Sequence, residues 1–448
     1  MLTTQVIKEN TLQVLYVGGW DAPYGIALTF DLLSGIMTGI CVFLAIITLL
    51  YGFGYTPIKK EHLFKLPLFF FMIAGIQLSF ITGDLFNLFV AFEILLIASF
   101  GLMSLESRSN HKKYTYPYVA LNLVGSFVFL VTIAVTYRLL GTLNFADMGV
   151  RSHLLTSDPR LWVMGVMLIF VFGLKGAFFP LYYWLPKSYP ILPTPTGAFY
   201  AAMLTKVGVY GMIRLFGTVL PHSLGTLHTL VLVLAIPTML LGILSAFSKK
   251  SMRDILCFNL ISHIGVIMMG LGLFTKESLT ASLFYMIHHM LVIASLFLIA
   301  GLIIKMKGSD NIENIGSLWK TSPLLSGLFL IQGLSLSGLP PFSGFWPTIG
   351  LIREGLSQGS YILVFSLLAS SLLTLLSMVH ILFRGFWDTQ SPNVQKPVPY
   401  FKPMVGVAGI LVLVSLGLGL YPEPVLKLSH DATEMVLNQK AYQSQVLP

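Results

Sequence analysis

Runs of about twenty apolar residues recur along almost the whole of this chain, and nothing else in it limits the fold so severely. Twelve can be counted, at 28–53, 65–82, 84–105, 116–139, 161–185, 192–216, 227–247, 254–274, 279–304, 322–357, 360–387 and 403–421. A helix rises 1.5 Å per residue, so about 20 residues cross the hydrocarbon of a bilayer. In lipid every backbone polar group must be satisfied internally, which leaves helices or closed barrels. Long continuous apolar runs select the helix, because a membrane strand is shorter and alternates. The composition agrees: 55% of the 448 residues are hydrophobic and 10% charged, against about 25% charged in an average soluble domain. The expected fold is an all-α polytopic membrane protein of about 12 transmembrane helices. No Gly-rich phosphate loop, CxxC pair or HExxH is present, so neither a cofactor, a metal nor a soluble catalytic domain is expected. Cys41 and Cys257 lie inside apolar runs and read as small core residues.

Net charge is +9, but no basic cluster sits on a soluble domain, so nucleic acid is not an expected partner. The excess reads as topology. Lys59, Lys60, Lys112, Lys113, Lys249, Lys250 and Arg253 belong to the richer side, and Arg138, Arg151, Arg160 and Arg214 to the poorer. The richer side is expected in the cytoplasm, which places both termini outside a multi-pass chain in a prokaryotic cell membrane. The first 25 residues hold no basic-then-apolar segment, so no cleavable signal peptide is expected.

Two of the twelve segments, 161–185 and 322–357, are interrupted, the second by Pro340-Pro341. They divide the chain into a leading helix (28–53), a five-helix unit (65–216), a second five-helix unit (227–387), a last helix (403–421) and a polar tail (422–448) expected to be loosely ordered or peripheral. Each unit carries its break in its fourth segment. Because five is odd, the second unit starts from the opposite side, which is the pattern of an inverted repeat.

Charged residues stand within these apolar runs. Lys175 and Lys206 bracket Pro180, Pro186, Pro190, Pro193 and Pro195. A cation at membrane depth is costly and marks a functional site unless it snorkels to the surface. Beside a broken helix it resembles a transporter's midplane ion site. Glu93 lies midway along its segment, with Lys175 as its expected partner. Opening and closing such a pair changes proton affinity by several kcal/mol, at about 1.4 kcal/mol per pKa unit; a static pair fixes packing instead. Asp31 and Asp84 read equally as helix caps or functional groups. His263, His288 and His289 lie within the second unit. Each alone reads as a core residue; together they make a proton relay credible, since histidine ordinarily titrates near pH 6.5. Polar Gln332, Ser335, Ser337, Ser343 and Thr348 flank the second break, and water lining that break is expected to serve them.

At these residues the chain resembles the antiporter-like membrane subunits shared by respiratory complex I, membrane hydrogenases and Mrp cation/proton antiporters, and most of all the Mrp D subunit. The stretches that carry the resemblance are GGWDAPYGIALTFDLLSGIM (18–37), TGDLFNLFVAFEILLIASFGL (82–102), LKGAFFPLYYWLP (174–186), MLTKVGVYGMIR (203–214) and LSGLPPFSGFW (336–346). They cover nearly all of residues 12–421, and TGDLFNLFVAFE with the GGW start favours the Mrp type.

The resemblance implies that Glu93 and Lys175 match the family's glutamate–lysine pair, and Lys206 the next lysine along a central axis. His263 and His288 fall in the helices that continue that axis. It also implies partners: other subunits of a complex exchanging sodium or another monovalent cation for protons. A proton-pumping subunit of a complex I-like NADH-quinone oxidoreductase or hydrogenase, or a non-transporting scaffold subunit, is the alternative. The sequence departs from the family at Ile293 and near Pro347 and Thr348, where relatives commonly carry lysines. The family also has two further helices before the GGW motif, where 17 residues stand here, so either a later start or a reduced bundle of twelve helices is expected.

Overall fold

The computed structural model describes residues 11–55, 62–106, 112–387, 398 and 401–447; the loop cations at 59, 60, 108 and 396 lie outside them. Before the helices comes a short hairpin, β1 (Gln13–Tyr16) against β2 (Ala27–Phe30), antiparallel with Gln13 opposite Phe30. An all-α reading omits it. The helices that follow are α1 (Leu32–Tyr55), α2 (Lys65–Ile81), α3 (Leu85–Glu106), α4 (Lys112–Leu140), α5 (Phe145–Leu154), α6 (Pro159–Gly176) and α7 (Thr194–Arg214). Then come α8 (Gly225–Ala246), α9 (Met252–Leu273), α10 (Lys276–Lys307), α11 (Pro323–Leu336), α12 (Phe345–Ser357), α13 (Tyr361–Ile381), α14 (Phe401–Leu420), α15 (Glu423–Leu437) and α16 (Gln439–Val446).

Among the described residues nine helical segments are long and apolar enough to cross a membrane. The other three segments read from the sequence as spans are α2, with 17 residues, the broken α11–α12, and α7. α7 carries Lys206, Arg214 and several threonines, which lower its hydropathy, yet every one of its residues is buried. A helix enclosed by protein has no lipid to satisfy, so its apolarity is free to fall.

At the centre stands α10, 32 residues long and almost wholly buried, packed against α1, α7, α9, α11, α12, α14 and α15. The rim is apolar instead. Tyr361, Phe365, Leu368 and Leu372 of α13 recur every three to four residues and are exposed, as are Leu123, Phe127 and Leu130 of α4. One face of a 3.6-residue helix meets the bilayer and the other meets the bundle.

The tail differs from the expectation of loose order. Its residues form α15 and α16, whose Ala432, Val436, Tyr442 and Val446 are buried. The i, i+4 spacing within each pair makes an apolar stripe that docks on the bundle. Tyr16 donates to the Val446 carbonyl at 3.0 Å, and Leu12 N to Gln445 Oε1 at 2.8 Å. Gln439 Nε2 donates to the carbonyls of Gly217 and Leu220. The described ends of the chain therefore meet on one face.

Candidate functional site

Both interrupted segments are broken in the structure, and each break sits beside a candidate residue. α6 ends at Gly176, one residue past Lys175, with Ala177 in the left-handed region at φ 59°. The next residues turn through short helical pieces, Leu181–Trp184, Leu185–Ser188 and Tyr189–Ile191, before α7. Lys175 thus lies in a last helical turn, where the free carbonyls of a helix end favour a cation. This end is interior: Lys175 is only 6% exposed. Trp184 Nε1 donates to the Leu174 carbonyl at 3.0 Å, and Phe178 N to that of Gly173 at 2.8 Å. The break is therefore held in shape rather than left with unpaired backbone groups.

Lys175 Nζ donates at 3.4 Å to the Asn122 carbonyl and to Ser126 Oγ, both on α4. It makes no ion pair with Glu93 within 4.0 Å; the two are coupled through space, and Glu93 Oε1 is buried with no hydrogen-bond partner. Lys206 is fully buried and donates to the Ala201 carbonyl at 2.8 Å. Gly208 brings α7 onto the first break. A Cβ there would meet Gly176 N at 2.7 Å and the Phe172 carbonyl oxygen at 2.8 Å. Only a glycine permits that approach, and it fixes the separation of the two lysine-bearing helices.

Beyond Lys206 lie the histidines. Lys206 on α7 lies within electrostatic reach of His263 and His289. The rings of His263 and His289 stack with centroids 5.2 Å apart. His263 Nδ1 is 2.5 Å from the Tyr285 hydroxyl, and the Tyr285 ring packs edge-on to His288 at 5.5 Å. His288 Nδ1 is 2.8 Å from Ser343 Oγ, which is 3.0 Å from Ser335 Oγ. Ser335 lies in the last turn of α11, before the second break, and Ser343 lies within that break. All three histidines are buried. His263 Nε2, His288 Nε2 and both ring nitrogens of His289 have no hydrogen-bond partner. Buried polar atoms are nearly always satisfied, so this stretch suits exchangeable water.

Several residues differ from the sequence reading. Tyr285 does not stand out in the sequence, although its spacing of three from His288 puts both on one helical face. Of the polar group around the second break, Ser337 and Thr348 donate back to the carbonyls of Gly333 and Gly344; Ser343 meets His288, and Ser335 meets Ser343. Gln332 accepts from Ser415 at 3.3 Å and its Nε2 is unpartnered. Ile293 is fully buried.

Arg214 is not a loop cation. It is 1% exposed and paired with Asp31, itself 3% exposed. Arg214 Nη2 donates to Asp31 Oδ1 at 2.8 Å, to Ser34 Oγ at 3.0 Å and to the Tyr210 hydroxyl at 3.0 Å. Ser34 and Tyr210 both donate to the Phe80 carbonyl. Asp31 also accepts from Ser34 N at 2.9 Å, so it caps α1 and joins an interior network at once. Asp84 accepts from Asn87 N at 2.8 Å, as a cap does. Among the described residues no group of three His, Cys, Asp or Glu side chains is arranged to hold a metal.

Comparison with known proteins matches this architecture. The family described as NADH:quinone oxidoreductase/Mrp antiporter, transmembrane, matches residues 82–374. The D subunit of the Na(+)/H(+) antiporter of Alkalihalophilus pseudofirmus is 37% identical over 443 residues, covering 98% of this chain and 90% of that protein. The corresponding Bacillus subtilis protein is 34% identical over 446 residues, covering 100% and 90%. In the Mrp complex of Dietzia sp. DQ12-45-1b one chain superposes with a TM-score of 0.92 at 27% identity, covering 100% of this chain and 92% of that one. A chain of the membrane-bound sulfane sulfur reductase, an archaeal respiratory complex, gives 0.90 at 27% identity, covering 99% and 90%. With the family matched across both breaks and the D-subunit relatives matched over nine-tenths of their length, the chain belongs to the NADH:quinone oxidoreductase/Mrp antiporter family and, within it, to the Mrp-type antiporter D subunits.

Proposed function

We propose that this subunit carries protons through a multisubunit monovalent cation/proton antiporter, with sodium as the exchanged cation. The chain's relatives are named as D subunits of a Na(+)/H(+) antiporter. One observation supports the route most directly: polar and titratable side chains, buried but for the part-buried Glu93, lie between one helix break and the other. It begins with Glu93 and Lys175, passes Lys206, and continues through His263 and His289 to Tyr285, His288 and Ser343.

Lys175 Nζ rests on the Asn122 carbonyl and Ser126 Oγ, away from contact with Glu93. That separation is one state of a pair which closes when Lys175 takes up a proton from the aqueous side. Closing and opening change the lysine's proton affinity, and the proton passes through water to Lys206 and the histidines. In the second unit the Tyr285 hydroxyl exchanges a proton with His263, and water carries the proton on to His288, whose Nδ1 meets Ser343. Ser343 and Ser335 then receive it at the second break. Histidine and hydroxyl groups here serve where relatives of the family carry lysines at the positions of Ile293 and Thr348.

The two five-helix units are related as an inverted repeat, the lysine-rich loops face the cytoplasm and both termini lie outside the cell membrane. The remaining subunits of the complex are its protein partners. The test is vesicle transport by the assembled complex with Glu93→Ala or Lys175→Ala. Each variant should abolish cation-driven proton movement while the subunit still copurifies with its partners. Normal transport by both variants would remove the pair from the route.

A further inference from the structure

A groove of about 480 Å³ opens between the segment that follows the first break, the start of α4 and the facing ends of α8 and α9. Lys187 and Lys249 line it and Lys113 stands next to the lining Tyr114, each lysine over an aromatic ring of the wall. Lys187 lies 4.0 Å above the Tyr183 ring and donates to its hydroxyl. Lys249 lies 5.4 Å from the Phe258 ring centre, and Lys113 lies 5.2 Å from that of Tyr114. Tyr183, Phe258 and Tyr114 all line the groove. Stacking costs an ammonium none of its charge; it aims the charge along the wall. Asp254 is the one acidic residue among those lining the groove.

The depth is as informative as the charge. α4 begins at Lys112, α8 ends at Ala246 and α9 begins at Met252, so the groove lies where helices leave the bilayer. It lies on the lysine-rich face. Lysine and tyrosine at that level meet phospholipid headgroups. Beside it, Leu241 and Leu244 of α8 and Phe247 just past its end are exposed and continue the wall towards the hydrocarbon, where acyl chains would lie.

We propose that this groove binds one anionic phospholipid, its phosphate held by Lys187 and Lys249 with Lys113 at the rim. A zwitterionic headgroup would bring a cation of its own against three ammonium groups, so the site selects net negative charge. The wall is the segment joining Lys175 to α7, but the proposal stands whether or not protons pass along that segment.

The test uses the purified complex, delipidated in mild detergent and titrated with phosphatidylglycerol or phosphatidylcholine while bound lipid is counted by native mass spectrometry. The wild-type complex should retain phosphatidylglycerol and not phosphatidylcholine. A Lys187→Gln/Lys249→Gln double variant should bind it about 25-fold more weakly, at roughly fivefold per lysine. Lys187→Arg/Lys249→Arg should hold it as the parent does, which separates lost charge from a damaged fold. Asp254→Asn should tighten it. Inorganic phosphate in excess should not displace it, because the acyl chains supply part of the hold. Equal retention by the double glutamine variant, equal binding of phosphatidylcholine, or displacement by free phosphate would overturn the assignment.

Discussion

Replacing Asp31 by asparagine removes the countercharge of Arg214 while keeping the side chain's shape. The arginine would then be left 1% exposed, with only the neutral Ser34 Oγ and Tyr210 hydroxyl as side-chain partners. Unit charges about 4 Å apart interact by roughly 4 kcal/mol at an effective dielectric of about 20. Removing one partner of a buried pair costs about 3–5 kcal/mol, because the other stays uncompensated. Asp31→Asn and Arg214→Gln should therefore each lose about 3–5 kcal/mol. The double variant Asp31→Asn/Arg214→Met should recover more than half of that, since no lone charge remains buried. Denaturant unfolding of the complex in mild detergent, followed by tryptophan fluorescence, measures all three. A loss below about 1 kcal/mol in both single variants would refute the reasoning, as that is what an exposed pair contributes. A double variant as unstable as the singles would show that packing, not charge, sets the cost. Transport measured alongside should follow stability, because this network ties α1, the end of α2 and α7 together and lies outside the proposed proton route.

Tyr285→Phe keeps the ring against His288 and removes the hydroxyl bonded to His263; proton flux should fall by about 100-fold, the low end for a positioned proton-transfer group, with assembly unchanged. Full flux with an unchanged solvent isotope effect would exclude that hydroxyl. A His288→Ala/His289→Ala double variant should lose proton flux with assembly unchanged; full flux in vesicles would make the second unit a structural repeat. Gly208→Leu should destabilise by about 1–3 kcal/mol through overpacking and also cut transport, because the added atoms fall on the Gly176 backbone beside Lys175. A stable, active leucine variant would show that the approach of α6 and α7 is not tight.

Much of this could be read from residue order alone. A chain with this many long apolar runs has no other stable solution in lipid than a helical bundle, because backbone groups there find partners only within the segment. Prolines that remove donors at 180 and at 340–341 mark both breaks for the same local reason. Lys175, Lys206 and the three histidines stand out because a polar side chain in an apolar run costs free energy wherever it ends up.

Contacts between distant segments could not be read that way. Arg214 looks like a helix-end cation, and only the fold brings Asp31, 183 residues away, against it. Tyr285 is an ordinary aromatic until α9 places His263 on its hydroxyl. The separation of Glu93 from Lys175 is set by how α3 and α4 pack beside α6, which pattern does not encode. The tail's apolar residues are too sparse to announce two docked helices; they hold because Gln439, Tyr442 and Val446 find partners on the bundle. The sequence by itself determined a membrane bundle with two broken helices and a set of charges inside it. Only the tertiary structure decided which of those charges meet, because pairing depends on positions in space that helices far apart in the chain reach together.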